Sequence, residues 1–412
     1  MRILVVSQYF WPENFRINDV VAGLIERGHE VTVLTGQPNY PAGRFFPGYG
    51  WFKRTRERYL GAEIIRIPLL PRGAGGSVRL ALNYLSFVLS ACLLGPLYCR
   101  ARYDVIFVYG PSPITVALPA LLLKALRKAP VMLWVLDLWP ESLSATAAIK
   151  SQSILKAVER LVRFIYRHCD RILVQSQAFF QPMERLGVAG SKIAYFPSSA
   201  EDVYGASNGA ESATMLSNFP VGFRVMFAGN VGAAQDFETI LRAAELLKWR
   251  EDIHWLIVGD GRMLDWVKTE VESRALKSCF HLLGRHPLEE MPKFYQSADV
   301  MLVTLRRDPI FSLTIPGKIQ SYMAAGKPIL AALDGEGARI VQESDAGLAC
   351  PAESAELLAS AVLDLAARSR LDLDRMGRQG RSYYETHFER KMLLAKLEGW
   401  MHEFSQELNQ KI

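Results

Sequence analysis

Short, continuous apolar runs alternate with helical patterns along the chain, and this alternation restricts the fold more than any other feature. Residues 2–6 (RILVV) form the first run, the pattern of a parallel strand buried on both faces. A helical stretch over about 17–27 follows, and Gly28 suits the left-handed turn after a helix. The run EVTVLTG begins the next strand, and further runs fall at 64–67, 105–108, 131–136 and 171–174. The second half repeats the scheme at 224–227, 254–258, 280–283, 300–303 and 328–331. Strand and helix in alternation predict doubly wound parallel sheets. At 412 residues the chain exceeds what one core usually holds, so two α/β domains are expected.

The stretch 198–218 is rich in small and polar residues and reads as the link between them. The expected division is a first domain over 1–198, a second over 199–385, and a terminal helix over 386–412 that packs back on the first. All of 371–412 reads as helical. Charge is divided unevenly: residues 1–200 hold 24 Lys and Arg against 12 Asp and Glu, a net +12, whereas the remainder carries −6. A basic half favours an anionic partner, such as a phosphate or a membrane surface. No nucleic-acid-binding motif is present, so nucleic acid is not expected as a partner. The five cysteines are scattered without a CxxC, which argues against disulfides and zinc and fits a reducing cytosol. The amino terminus enters a strand pattern at once and lacks the features of a signal peptide.

Residues 78–98 are strongly apolar and nearly long enough to cross a bilayer, but Asn83, Gly95 and Pro96 interrupt them. A membrane span, a helix lying in the interface and an ordinary buried helix all fit. Arg72, Arg79, Arg100 and Arg102 flank the segment. In the helical pattern that follows 152, Lys156, Arg160, Arg163, Arg167 and Arg171 share one face by spacing, with Leu155, Val158, Val162 and Ile165 opposite. Either an anionic leaflet or plain solvent would suit that face.

The first strand–turn, SQYFWPEN (7–14), has no GxGxxG, which argues against a dinucleotide cofactor. In the second half, a strand runs into Gly229-Asn230-Val231-Gly232, with a helix expected near Asp236. Free N–H groups at such a turn suit a phosphate, although a tight turn alone would look the same. Gly259 and Gly261 bracket Asp260 after another strand. The segment TIPGKIQSYMAAGKPIL (314–330) holds a Pro316-Gly317 turn, then Lys318 opening a helix. A lysine at a helix start is electrostatically disfavoured unless an anion sits there or water solvates it. In LWVLDLWPES, Asp137 and Glu141 stand at the carboxyl end of a strand, where open α/β sheets bind ligands, although Asp137 could equally cap the next helix. His29 and His168 read as ordinary helix-end or surface histidines. Asp372-Leu373-Asp374 resembles a metal motif in letters only.

The pattern KxxxYMAAGKP, preceded by GNxGxxQ and VGDG, resembles the family 4 retaining glycosyltransferases of the GT-B fold. QYFWPEN, RGHEVTVLTGQPNYPAG and DLWPES resemble the subgroup of colanic acid and O-antigen fucosyl- and N-acetylfucosaminyl-transferases. The resemblance covers nearly the whole chain. It implies two Rossmann-like, doubly wound domains facing each other across a cleft.

The resemblance also implies donor-binding positions at Gly229, Asn230, Gln235, Gly259, Asp260, Arg285, Pro316, Gly317, Lys318 and Ser321. It places Glu13, Asn14, Arg16 and Trp139 on the acceptor side and makes Asp137 and Glu141 the catalytic candidates, with no metal. Four positions depart from the family pattern. Asn230 and Gln235 replace an arginine and a lysine that neutralise the donor diphosphate, and Leu313 and Ser321 replace a pair of glutamates, the second of which binds the donor ribose. Lys318, Arg306 and Arg307 are the candidate replacement cations. These changes mean either altered donor recognition or loss of activity.

The expected activity is transfer of a sugar, of fucose or N-acetylfucosamine type, from a nucleotide diphosphate donor with retention. The donor is a co-substrate, and no cofactor is expected. The expected acceptor is a polyprenyl-diphosphate-linked saccharide at the inner face of the cytoplasmic membrane, in synthesis of a surface polysaccharide such as capsule or O-antigen. A sugar-nucleotide epimerase of the same fold and an inactive assembly partner are the alternatives.

Overall fold

The structure is a computed structural model describing residues 1–73, 76–145, 151–204 and 219–410. The chain divides into two compact units, Met1–Pro197 with Lys391–Ile412, and Ser198–Arg390. Of the segment read as a link, 205–218 lies outside the described residues.

The first unit holds β1 (Arg2–Ser7), β2 (Glu30–Gly36), β3 (Arg56–Tyr59), β4 (Ala62–Ile67), β5 (Val105–Gly110), β6 (Val131–Val135), β7 (Arg171–Val174) and β8 (Ile193–Tyr195). They form one sheet in the order β3-β4-β2-β1-β5-β6-β7-β8. Every pairing is parallel except β3 with β4. β3 (RERY) has no apolar run because it is a half-exposed edge strand. Strand order reverses between β1 and β5, which makes their carboxyl ends the crevice of the sheet. The helices are α1 (Arg16–Glu26), α2 (Ser77–Tyr98), α3 (Ala117–Arg127), α4 (Glu141–Ala145), α5 (Gln152–His168) and α6 (Phe180–Arg185).

The carboxy-terminal region is two helices, Arg370–His387 and Arg390–Gln410, broken at the fully buried Phe388. Leu393, Leu394, Leu397 and Met401 of the last helix enter the first unit's core beside Ile3, Phe107 and Trp134. Glu398 pairs with Arg27 at 2.7 Å and with His29 at 2.8 Å. His29 is therefore a buried tie, where a helix-end histidine without a part was expected. Arg171 also departs from expectation. α5 stops at His168, so Arg171 begins β7, leaves the basic face and pairs with Glu403 at 2.7 Å.

α2 runs unbroken through Gly95 and Pro96. A Cβ on Gly95 would stand 3.3 Å from Leu34, so the glycine permits close packing. Asn83 is buried and donates to the Leu70 carbonyl at 2.5 Å while accepting from Gln8 at 2.7 Å. Asn83, Phe87 and Ala91 face the sheet. Val78, Leu82, Leu85, Leu89, Leu93 and Leu97 stay exposed, at helical spacing, with Val78 75% and Leu93 71% accessible. Leu122 and Leu126 of α3, which packs against α2, are exposed as well.

The second unit holds β9 (Phe223–Ala228), β10 (Ile253–Val258), β11 (Phe280–Gly284), β12 (Val300–Thr304), β13 (Ile329–Ala332) and β14 (Gly347–Cys350). They form an all-parallel sheet in the order β11-β10-β9-β12-β13-β14, with the switch point between β9 and β12. Phe227, Ile240, Trp255, Leu302 and Leu330 lie in its core. Ile253 pairs with Phe223 and Val258 with Ala228, so β9 and β10 end level with each other.

One charge is wholly buried in the first sheet. Arg66 on β4 donates Nε to Glu57 and Nη2 to the Trp11 carbonyl, and Nη1 to the Gly36 carbonyl at 3.1 Å. Its guanidinium lies 5.1 Å from the Tyr49 ring centroid. Removing one member of such a pair strands the other in low dielectric. Arg66→Ala is expected to destabilise the first unit by about 3–5 kcal/mol in urea unfolding. A loss below about 1 kcal/mol, the range of exposed pairs, would show that the network is not structural.

Candidate functional site

The level ends of β9 and β10 bring two glycine turns together. Gly229 has φ +136° and Gly259 has φ +148°. A Cβ on Gly259 would stand 1.9 Å from the Gly229 carbonyl oxygen, so the approach is open to glycine alone. Hydrogen bonds lock the turns: Gly229 N–H donates to Val258 at 2.8 Å, Val231 N–H to Asp260 at 2.9 Å and Gly259 N–H to Gly284 at 2.7 Å. Gly229, Asn230, Gly259, Asp260 and Arg285, all anticipated, line one cavity of about 490 Å³. Tyr204, His286, Met291 and Tyr295 complete much of its wall and were not anticipated. Tyr204 falls in the stretch read as a linker, where polar composition hides a lone aromatic. The Tyr204 and Tyr295 rings stack at 4.9 Å and 3°, with their hydroxyls 3.2 Å apart.

Lys318 adjoins this turn. It stands in the first turn of the helix Gly317–Ala324, and a Cβ on Gly229 would lie 2.6 Å from its Cε. Its Nζ lies 3.8 Å from the Phe227 ring centroid and has no hydrogen bond or ion pair among the described residues. Desolvation pushes its pKa down to about 7. A half-buried ammonium near a helix amino terminus, with only a ring face beneath it, lacks a counter-charge.

Tyr322 on the same helix is buried, accepts from the Ala228 N–H at 3.1 Å and stands 3.3 and 3.4 Å from the Ala228 and Leu302 carbonyls. That hydroxyl ties the helix to β9 and β12, the strands of the switch point. Lys327, the second lysine of the motif, donates to the Gln296 and Ala298 carbonyls at 3.0 and 2.9 Å. Ser321 is buried, and its Oγ lies 3.1 Å from Oε2 of Glu201 and 3.2 Å from the Gly317 carbonyl. The serine that replaces the expected glutamate thus holds a glutamate from another segment.

Other anticipated positions lie apart from the cavity. Pro316 caps the Gly317–Ala324 helix and abuts Gly337, 3.1 Å from where a Cβ there would be. Gln235 sits by Asn230 around Gly232, its carbonyl accepting from Thr304 Oγ1 at 2.5 Å and its own Oε1 buried without a hydrogen-bond partner among the described residues. Arg306 lines a separate cavity of about 320 Å³ with Gly232, Phe237 and Trp266. Arg307 is bound to Asp334 at 3.2 Å and to the Ala352 carbonyl at 2.8 Å. Among the described residues no three His, Cys, Asp or Glu side chains could hold a metal ion.

At the carboxyl edge of the first sheet, Asp137 follows β6 and Glu141 begins α4. Burial raises the Asp137 pKa to about 6, against the side chains of Ser142, Trp139 and Ser112, which favour ionisation, while the Glu141 charge adds to the rise. Trp139 is buried. Tyr84 of α2 lies between Tyr9, Ser112 and Asp137, and Arg72 stacks over the Tyr9 and Tyr40 rings at 5.9 and 5.1 Å. Tyr9, Tyr84 and Ser112 escaped the sequence reading because they are single residues from separate elements. Arg16 opens α1 near Tyr109, and Asn14 is exposed. Glu13 is buried: its Oε1 accepts from the Asn39 and Tyr40 N–H groups at 2.8 and 2.7 Å, and its Oε2 from Phe10 N–H at 3.3 Å. Its carboxylate thus clamps two loops, with a pKa raised to about 7 by burial.

The lowered Lys318 pKa has a consequence for stability. Between its folded value of about 7 and its ordinary 10.5, the unfolded chain holds a proton that the folded chain does not. Lys318 therefore contributes stability that rises with pH across that interval. Lys318→Met is expected to flatten this rise relative to the native chain in ligand-free urea unfolding. Identical slopes in both proteins would show that Lys318 stays charged.

Comparison with known proteins gives this geometry a family. The family described as "Glycosyl transferase 4-like domain" matches residues 14–198, and "Glycosyl transferases group 1" matches residues 222–368. The chain is 32% identical over 309 residues to the probable glycosyltransferase WbjE of Pseudomonas aeruginosa, covering 72% of this chain and 74% of the relative. It is 23% identical over 338 residues to the putative colanic acid biosynthesis glycosyl transferase WcaI of Escherichia coli K12, covering 79% and 82%. Among solved structures, Anabaena HepE in complex with UDP aligns with a TM-score of 0.71 at 14% identity, over 98% of this chain and all of that one. Sucrose-phosphate synthase from Thermosynechococcus elongatus aligns at 0.74 with 15% identity over 98% of both. These neighbours share the fold of two parallel-sheet α/β domains found in GT-B enzymes. With a 4-like domain followed by a group 1 domain, the chain belongs to the family 4-type glycosyltransferases.

Proposed function

We propose that this enzyme takes a sugar from a nucleotide diphosphate donor held in the second unit. It passes the sugar, with retention, to a lipid-linked saccharide bound by the first unit. The observation that carries the donor reading is Lys318, which has no counter-charge among the described residues and stands beside a glycine-lined cavity. Developing charge on a leaving diphosphate would be met by Lys318 and Arg285 beside the glycine turns. HepE was solved with UDP bound, and the name of WcaI places it in colanic acid synthesis. Surface polysaccharide synthesis is the process these relatives suggest, and a fucose or N-acetylfucosamine type of sugar fits the subgroup resembled.

Asp137 and Glu141 supply the reacting face of the first unit, with Trp139 behind them and Arg16 and Asn14 at the edge. Glu13 serves the acceptor side indirectly, by holding the loops at 8–13 and 37–40. The leaving phosphate oxygen takes the acceptor proton on the same face, so catalysis rests on positioning and on charge stabilisation. A released-diphosphate assay tests this. Nucleotide diphosphate appears only with acceptor, Lys318→Ala weakens donor binding by about 1.5–3 kcal/mol, as loss of a charge-assisted bond does, and Asp137→Asn cuts turnover without lowering Tm. Unchanged donor affinity in the lysine variant refutes the donor site, and parallel loss of turnover and Tm makes Asp137 structural.

The second part of the proposal places the enzyme on the inner face of the cytoplasmic membrane. The exposed stripe of α2 is apolar along its length, and Arg79, Arg100 and Arg102 at its ends are exposed. Because Phe87 and Ala91 pack on the sheet, α2 would lie in the interface plane, with its outer face among acyl chains. Exposed Lys156, Arg160 and Arg167 of α5 add attraction of about 1 kcal/mol each near an anionic leaflet. The chain should sediment with vesicles containing anionic phosphatidylglycerol and less so at high salt, and Leu89→Asp should release it. Equal recovery in the supernatant with and without anionic lipid refutes the placement.

A further inference from the structure

We infer that Arg72 binds an anionic group of the acceptor, a phosphate of its lipid link or a carboxylate on its sugar, a short glycan away from the reacting hydroxyl. This rests on the proposal that the first unit holds the acceptor beside Asp137, and it adds a residue and a charge requirement to it.

Arg72 lies between β4 and α2, and its main chain is pinned. Its N–H donates to Asn39 Oδ1 at 3.0 Å, and the N–H of Gly73 donates to the Gly43 carbonyl at 2.8 Å. Asn39 is held in turn by Glu13. The side chain runs over two rings, with the guanidinium 5.9 Å from the Tyr9 centroid and 5.1 Å from that of Tyr40. Both rings pack on Phe15, at 4.9 and 5.3 Å. Among the described residues the guanidinium makes no hydrogen bond and no ion pair, and the residue is partly exposed. Arg66, close by in the same sheet, has a carboxylate and two carbonyls for its donors. Arg72 has only ring faces beneath it, and an arginine cannot shed its charge. A solvated surface arginine roams, whereas this one is aimed by its backbone and by the rings it covers.

Arg72 also stands at a set distance from Asp137. Tyr84 lies between Tyr9 and Ser112, and Ser112 reaches the Asp137 carboxyl. Hydroxyls in hydrogen-bond reach are about 2.8 Å apart, so the row from Tyr9 to Asp137 spans roughly 8 Å. Burial holds the Tyr84 hydroxyl above its ordinary range; Arg72 opposes that rise and Asp137 adds to it, so both charges stand close to one phenol. A guanidinium takes phosphate or carboxylate through paired N–H donors. Asp137, at the other end of the row, is placed to meet a sugar hydroxyl. Tyr40 is 39% exposed beside Arg72 and offers an apolar ring face to the sugar between them. The phosphates of a lipid-linked saccharide adjoin its first sugar, and a sugar acid carries its carboxylate on the ring itself. Either source puts the charge at Arg72 while a hydroxyl stands at Asp137, and a charge many sugars away does not. α2 begins at Ser77 and its exposed stripe at Val78, so the lipid end of such an acceptor has an apolar surface next to Arg72.

Calorimetric titration of the full chain with three probes tests the inference: octyl glucoside, octyl glucuronide and glucosyl farnesyl diphosphate, each below its micellar concentration. The native chain should bind at least one charged probe about tenfold or more tightly than the neutral glucoside, as a hydrogen bond to a charged group provides. Preference for the glucuronide assigns the charge to the sugar, and preference for the diphosphate assigns it to the lipid link. Arg72→Gln should bring the charged probe to the level of the glucoside with Tm and glucoside binding unchanged, and Arg72→Lys should keep part of the preference. Lys318→Met should leave the preference intact, because the charge is not read in the second unit. Equal affinity for all three probes, a preference that survives Arg72→Gln or vanishes in Lys318→Met, or joint loss of Tm and glucoside binding in Arg72→Gln overturns the inference and leaves the acceptor proposal standing. If none of the probes binds the native chain, the acceptor proposal fails, and the inference fails with it.

Discussion

The second unit depends on a backbone contact that no side chain could survive. At the level ends of β9 and β10, Gly259 packs against the Gly229 carbonyl, where a Cβ would come within 1.9 Å. The interlocked turns leave Gly229 and Gly259 beside the Asn230 and Asp260 side chains on the wall of the cavity. Gly229 then leaves the space into which Lys318 folds back, over the face of Phe227. The helix that carries Lys318 is in turn held by Tyr322, whose hydroxyl reaches main-chain atoms of both β9 and β12. The glycines, the lysine and the tyrosine thus form one mechanical unit at the switch point of the sheet.

The first unit solves a different problem, which is how to order long loops at a sheet edge rich in charge. Glu13 gathers three backbone N–H groups from two loops, and Arg66 joins Glu57 to the carbonyls of Trp11 and Gly36. Buried charges of this kind are tolerated because every one of them has partners. Around them, Tyr9, Tyr84, Ser112 and Asp137 come together from four separate elements, one of them α2. The helix with the exposed apolar stripe therefore also contributes to the polar edge where Asp137 lies.

Much of this was legible in the sequence, for identifiable reasons. Buried parallel strands are continuous apolar runs, so RILVV, EVTVLTG and their counterparts disclosed both sheets before any coordinates. The edge strand RERY and the short GLAC did not, because a half-exposed edge and a glycine-bearing strand carry no such run. Gly229, Gly259 and Lys318 were visible as a motif because they are close in sequence to strand ends. Glu201, Tyr204 and Tyr295 were not, since they meet the motif only in space. The basic helix face was readable up to His168, but where α5 ends depends on the strand that follows, and that moved Arg171 from the face to an ion pair with Glu403.

By itself, the sequence determined the α/β alternation, the two-domain scale, the glycine turns, the apolar character of α2 and the amphipathic character of α5. These are local properties: periodicity, residue size and charge act over a few neighbouring positions. Only the tertiary structure decided which polar groups meet a partner. It engaged Arg307, Lys327 and Glu13 in structural bonds, left Lys318 without a counter-charge among the described residues, and set Glu201 against Ser321 across 120 positions of chain. Whether a charge is satisfied or left waiting depends on atoms within about 4 Å, and those atoms come from segments that the order of residues does not bring together.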